Sequence, residues 1–178
     1  TEVSDGARPQ PPMMYYAKFA QRLITALTVL TGEGLLYDVD TRLRPSGTKG
    51  PIAVKLEGFS TYQRKDAWTW EHMALTRART IAGPAGLRAR IDKEIHTILT
   101  SPRDFDKLRE DVSSMRRLIS GEKPSRGPLD IKYRLGGLVD VEFLAQYLTL
   151  RHAAAHPEIL GANTATTGGD IVFGTTTG

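Results

Sequence analysis

Apolar residues recur along most of this chain at spacings of three and four, the signature of helices that bury one face. From Met13 the positions Tyr16, Phe19, Leu23, Leu27 and Leu30 predict a helix that stops at Gly32, a residue suited to the position just past a carboxyl end. The spacing changes at Leu35 to Arg44, where alternation predicts a strand, and Pro45 to Pro51, with two prolines and two glycines, predicts a loop. Helices are expected at Phe59 to Arg64 and from Asp66, as its cap, to about Ile81. Two amphipathic helices follow, one carrying Leu87, Ile91, Ile95 and Ile98, the other Phe105, Leu108, Val112, Met115 and Ile119, with both stripes core-facing. A polar connection, Gly121 to Gly127, leads to a short extended piece, Leu129 to Tyr133, a glycine pair, and a helix from about Val139 to His152. The segment before Met13 reads as a proline-rich linker. The tail from Asn163 is rich in Thr and Gly, with one apolar cluster at Ile171 to Phe173, and no internal repeat is visible.

One strand among five or six helices is an unusual census, because a lone strand cannot satisfy its own backbone hydrogen bonds. The expectation is therefore a piece of a larger protein. Its 178 residues suffice for one ordinary domain or for parts of two. The longest apolar stretch, Leu23 to Leu30, is far too short to cross a bilayer, and no basic-then-apolar leader opens the chain. A cytoplasmic setting without membrane contact is the default expectation. Cysteine is absent, which excludes disulfides and thiolate metal sites.

Charge sharpens the picture. The net charge is +4, and Arg42, Arg44, Lys49, Lys55, Arg64, Lys65, Arg77, Arg79, Arg88 and Arg90 fall within one stretch, as suits a polyanionic ligand. On an ideal strand Tyr37, Val39, Thr41 and Leu43 share a mostly apolar face expected to be buried, and Asp38, Asp40, Arg42 and Arg44 share the other. Two carboxylates can hold a hard cation, and two arginines beyond them can clamp phosphate oxygens. That order of groups suits phosphoryl or nucleotidyl transfer. An exposed strand face with alternating charges accounts for the same alternation. In the loop, Gly47 and Gly50 flank Lys49, which would let backbone N–H groups and an ammonium approach a phosphate. Trp70, Met73, Ala74 and Arg77 lie along one side of the expected third helix, and Arg77 and Arg79 do not share a helical face. Gly136 and Gly137 allow positive φ or close backbone approach, while Asp140 and Glu142 suit the positive end of a helix dipole. His152, His156 and Glu158 superficially resemble a zinc pattern, but Pro157 ends the helix there.

Three segments in order carry a family resemblance: YDVDTRLRPSG (37–47), AWTWEHMALTRAR (67–79) and GGLVDVEFLAQYL (136–148). Together they resemble the glutamine synthetase adenylyltransferases, enzymes built from two related nucleotidyltransferase halves, one adding AMP and one removing it by phosphorolysis. The "SG" after "RLRP" and the phrase WTWEHMALTRAR look more like the carboxyl-terminal, adenylylating half. The resemblance implies an α+β fold, mostly helical: a partial polymerase-β-like palm followed by the start of a helical bundle. It implies nucleotidyltransferase residues over 1–123, the helical domain from 124 to 162 and an atypical tail over 163–178.

That palm uses three metal carboxylates, of which Asp40 matches the third by position, with Asp38 a second candidate metal ligand. The resemblance further implies catalytic roles for Asp40, Arg42 and Arg44, nucleotide or phosphate contacts from Lys49, Arg77 and Arg79, magnesium as cofactor and ATP as substrate. Glutamine synthetase would be the partner, with a PII-type regulatory protein as another. The G-S…D-x-D segment that supplies the other two carboxylates is not found upstream of Asp38, so the piece alone is expected to be inactive. The alternatives are the deadenylylating half and a non-catalytic basic helical module binding nucleic acid or a regulatory protein; a steep salt dependence without preference for ATP would mark binding to nucleic acid.

Overall fold

The computed structural model describes residues 10–32, 34, 35 and 37–161. The expected tail from Asn163 and most of the amino-terminal linker lie outside the described residues. The chain divides into two compact units, residues 1–66 and 67–178.

The first unit holds α1 (Pro12–Thr28), a hairpin of β1 (Leu30–Thr31) and β2 (Gly34–Leu35), and α2 (Leu56–Lys65). Pro12 occupies the first turn of α1, where its missing N–H costs nothing. The helix ends at Thr28, short of Gly32, because Val29 is already extended and feeds the hairpin. The apolar side of α1 stays open: Tyr16, Phe19 and Leu23 are exposed, and none of its residues is buried.

The strand expected at Leu35 to Arg44 is not formed. Antiparallel pairing stops at Leu35, paired to Leu30, and Tyr37 to Arg42 follow without a ladder. The Tyr37 N–H donates to the Leu27 carbonyl at 3.1 Å. A strand is stabilised by a partner's backbone groups, and among the described residues Tyr37 to Arg42 have no ladder partner beyond that single bond. The expected apolar face fares accordingly: Tyr37 and Leu43 are 61% and 60% exposed, and Val39 and Thr41 only half-buried.

The second unit is helical: α3 (Thr69–Leu75), α4 (Ala85–Leu99), α5 (Phe105–Glu122) and α6 (Leu138–His152). The third helix is shorter than its pattern suggested. Asp66 closes α2 instead of opening α3, and the Glu71 carboxylate accepts the Trp68 backbone N–H at 3.0 Å to fix the true start. Asp104 caps α5 by accepting from the N–H groups of Asp106 and Lys107, each at 3.0 Å.

Helix α5 packs on α6, α3 packs on both, and α4 on α3. Met73, Ile98, Leu99, Leu108, Val112, Val139, Ala145 and Leu150 form the core. The expected core stripes are half right, since Ile98, Leu108 and Val112 are buried while Leu87 and Phe105, at the amino ends of their helices, remain exposed. Thr149, fully buried within this core, donates its hydroxyl to the Ala145 carbonyl at 2.8 Å and so leaves no orphaned polar atom.

Leu129 to Tyr133, expected extended, is instead a run of turns built on Asp130, whose carboxylate accepts from the N–H groups of Arg126, Lys132 and Tyr133. The described residues are thus mostly helical, with two-residue strands only. No described helix is long and apolar enough to cross a membrane.

Candidate functional site

The segment from Asp38 to Gly50 carries its charges on irregular backbone. The carboxylate of Asp40 is gripped by Arg42: Nε donates to both oxygens at 3.0 Å and Nη2 to Oδ2 at 2.6 Å. The Arg42 backbone N–H adds a bond of 2.9 Å to Oδ1. The Arg42 side-chain bond, joined by that backbone bond, brings the Asp40 pKa down to about 2. The guanidinium is raised in turn by Asp40 and, more weakly, by Asp38. Asp38, Asp40 and Arg42 therefore form one small electrostatic cluster, exposed to solvent.

Arg44 is used differently. Its guanidinium donates to the carbonyls of Thr41 at 2.5 Å, Thr48 at 3.2 Å and Gly50 at 3.2 Å, and to the Thr41 hydroxyl at 3.1 Å. The side chain expected at a phosphate thus pins the loop that follows it. Ser46 and Gly47 both take positive φ, 62° and 55°, to turn the chain into a short 3-10 turn at Gly47–Lys49. A Cβ at Gly50 would meet the Pro45 carbonyl oxygen at 1.9 Å, so only glycine closes this turn. The N–H groups of Gly47 and Gly50 donate inward, to the Arg44 and Gly47 carbonyls. These donors, expected to face a phosphate, hold the loop together, while Lys49 remains exposed.

The two other expected nucleotide contacts belong to the second unit. Arg77, just beyond α3 and not on it, forms an ion pair with Glu142 of α6, and Arg79 is exposed. Asp140 and Glu142 do more than favour a helix dipole. Asp140 accepts from Arg116 of α5 and, at 2.6 Å, from the Gly136 N–H. The Arg116 bond, with that N–H, outweighs partial desolvation and holds the Asp140 carboxyl below the usual carboxylate range. Arg116 also donates to the Ser120 hydroxyl and, at 3.4 Å, to the Tyr133 carbonyl.

The glycine pair behaves as its chemistry suggested. Gly136 has φ 74°, and a Cβ on Gly137 would lie 2.6 Å from the Ile131 carbonyl oxygen. Arg116 carried no local signal in the sequence, since its partner lies 24 residues away. Arg103 is a second residue of that kind: it donates to His72 Nδ1 at 2.9 Å and to the Ile98 carbonyl at 3.1 Å, tying α3 to the turn between α4 and α5. His156 meets Glu158 at 3.1 Å, but among the described residues no group of three His, Cys, Asp or Glu side chains is placed to hold a metal ion. Magnesium asks for near-octahedral oxygen donors. Asp38 and Asp40 supply the right chemistry for part of such a set, and Asp40 would have to exchange Arg42 for the ion.

The profile of the family described as glutamate-ammonia ligase adenylyltransferase matches residues 1–94, the stretch that contains the Asp38–Gly50 segment and α3. The chain belongs to this family. It is 55% identical over 163 residues to the bifunctional glutamine synthetase adenylyltransferase/adenylyl-removing enzyme of Xanthobacter autotrophicus, covering 92% of this chain and 16% of that protein. The protein of the same description from Brucella suis is 56% identical over 149 residues, 84% of this chain and 15% of its own length. That from Rhodopseudomonas palustris strain TIE-1 is 52% identical over 161 residues, or 90% and 16%. The chain therefore spans about one sixth of the length of the curated relatives it matches.

Proposed function

We propose that this chain contributes the downstream part of a polymerase-β-like palm, followed by the start of a helical domain, to an enzyme that transfers AMP from ATP to a tyrosine of glutamine synthetase. The observation that carries this reading is the Asp38–Asp40–Arg42 cluster, lying inside the stretch that matches the family. The likeness of RLRPSG and WTWEHMALTRAR to the adenylylating half favours that half.

In this reading Asp40 and Asp38 are the residues that would hold a magnesium ion, and Arg42 would be the group available to a phosphate oxygen. The ion's chemistry is to neutralise charge on the reacting phosphate. Arg44 acts by pinning the 45–50 turn so that Lys49 is presented to solvent and substrate. Arg79 is the more available of the two downstream arginines, Arg77 being engaged by Glu142. The domain limits are those of the sequence reading: palm to about residue 123, helical domain to 162. A cytoplasmic setting and a PII-type regulatory partner go with the same reading.

The test is adenylylation of glutamine synthetase by the longer protein that carries this sequence, with labelled ATP and magnesium. Asp40→Asn keeps the shape and removes the charge a hard cation requires, so transfer is expected to fall by roughly 10³-fold or more with unchanged thermal stability. Asp38→Asn is expected to be milder. An Asp40→Asn enzyme with near-normal rate would remove the assignment. The 178-residue chain alone is expected to transfer nothing, since it contains no G-S…D-x-D segment.

The relatives' description names two activities, so the deadenylylating half is the second reading. Phosphate-dependent release of AMP from modified synthetase, lost in Asp40→Asn, would select it.

A further inference from the structure

Helices α5 and α6 leave an open groove of about 460 Å³ between them, away from the Asp38–Gly50 segment in sequence and in chemistry. Its walls are two helical stripes, Arg109, Ser113, Arg116 and Arg117 from α5 facing Phe143, Leu144 and Tyr147 from α6. Eight residues separate Arg109 from Arg117, which at 1.5 Å per residue makes the groove about 12 Å long, or roughly two helical turns.

One wall is cationic and the other apolar. The lining carboxylate, Asp140, is already bonded to Arg116 and Gly136, so it neutralises neither Arg109 nor Arg117. Arg109 meets Asp106 in an ion pair at 3.0 Å, with both side chains largely in solvent, and Arg117 donates one hydrogen bond to Ser114 at 2.8 Å. Each guanidinium has five N–H groups, so both keep donors for a further partner. At the Tyr147 end Arg151 adds another cation, bonded to the Tyr147 hydroxyl at 2.9 Å and lying 4.9 Å from the centre of the Phe105 ring.

The apolar wall extends beyond the groove. Leu144 is 49% exposed, and Val141, one turn back toward the amino end of α6, is 55% exposed. Sites for small organic anions enclose most of the ligand, whereas this groove is open along its length and its apolar wall runs on past it. A ridge of apolar side chains flanked by carboxylates would fill it: the apolar edge on Leu144 and Val141, the acids on Arg109 and Arg117.

We propose that the α5–α6 groove is a docking surface for an acidic amphipathic helix of a partner protein. The cationic wall sets the orientation of the incoming helix, and the apolar wall supplies the contact area that makes the complex more than a charge attraction.

The test is fluorescence anisotropy on the intact chain with a dye-labelled, leucine-and-glutamate amphipathic helical peptide. The comparisons are a scrambled peptide of the same composition and a version with lysine in place of glutamate. The acidic amphipathic peptide is expected to bind at least about tenfold more tightly than either comparison. The exposed double variant R109E/R117E should lose roughly tenfold or more for the acidic peptide and gain affinity for the lysine version. Leu144→Asp should weaken the acidic peptide without reversing the charge preference. Equal binding of the scrambled peptide would overturn the proposal in favour of plain electrostatics, as would absence of binding or displacement by ATP. Self-association of the chain abolished by R109E/R117E would assign the groove to a second copy and overturn it too. Circular dichroism of each variant checks that the helices remain, and Leu144→Asp provides an independent reading of the groove should the double variant unfold.

Discussion

Two of the aspartate–arginine pairs among the described residues are made of the same groups and set to different work. Asp40 and Arg42 are two residues apart, and both side chains are largely exposed. Asp140 and Arg116 are 24 residues apart and mostly covered, with side chains 25% and 16% exposed. The first pair forms from local chain geometry, because the Arg42 backbone N–H and its guanidinium reach the same carboxylate. It is bathed in water, so its attraction is screened and it can open for another ligand. The second pair joins α5 to the turn that starts α6 and also holds the Gly136 N–H, so opening it strands partly buried polar groups. The geometry of a salt bridge says little about its use until its exposure and the sequence distance it spans are known.

The largest effect should come from cutting the covered pair. Arg116→Met leaves Asp140 without its main partner and the Tyr133 carbonyl with one donor fewer, and a loss of about 2–3 kcal/mol is expected in urea unfolding. A variant with an unchanged midpoint would mean that the two pairs are equivalent after all.

A smaller loss, about 1–3 kcal/mol, is expected for Gly137→Ala. Its backbone angles suit any residue, but the added Cβ would sit 2.6 Å from the Ile131 carbonyl oxygen and force the turn open. If this turn is what delivers Asp140 to Arg116, the Asp140 carboxyl should titrate closer to the ordinary range in the variant. Carboxyl NMR reads this directly, and a fixed titration would show that the turn is not needed for the pair.

The smallest effect on stability belongs to the exposed pair. Arg42→Gln should leave the urea midpoint where it was while the Asp40 pKa climbs from about 2 toward its ordinary value of 3.8. The sign follows from the direction of the shift. The folded pKa lies below the unfolded one, so whatever the pair contributes is present above about pH 4 and is lost as pH falls through about 2. Carboxyl titration of wild type and variant between those limits checks it, and an Asp40 that titrates alike in both would dissolve the cluster on which the proposed site rests.

Much of this was legible in the residues, and the parts that were not share a cause. The helices at α4 and α5 followed from apolar spacing and α6 from the glycine pair before it, the pair itself serving positive φ at Gly136 and close backbone approach at Gly137. The three segments that carry the family likeness needed only their order, and the family match over residues 1–94 contains the first two. The strand over Leu35 to Arg44 did not form, and Tyr37 and Leu43 did not find a core, because alternation states only which face a strand would bury. The start of α3 was misplaced for a similar reason: Asp66 is a good cap by type, but Glu71 reached back to Trp68 and fixed the cap two residues later.

By itself the sequence determined whatever depends on neighbours within a turn or two: helical periods, caps, tight glycine turns, and an aspartate held by the arginine two residues on. Only the tertiary structure decided which charges pair across the chain, Arg116 with Asp140 and Arg77 with Glu142, and which arginines were left lining a groove. The physical reason is range. Propensity and capping act over a few residues of backbone, whereas the use of a charged side chain is set by the dielectric around it and the partner that folding brings within reach.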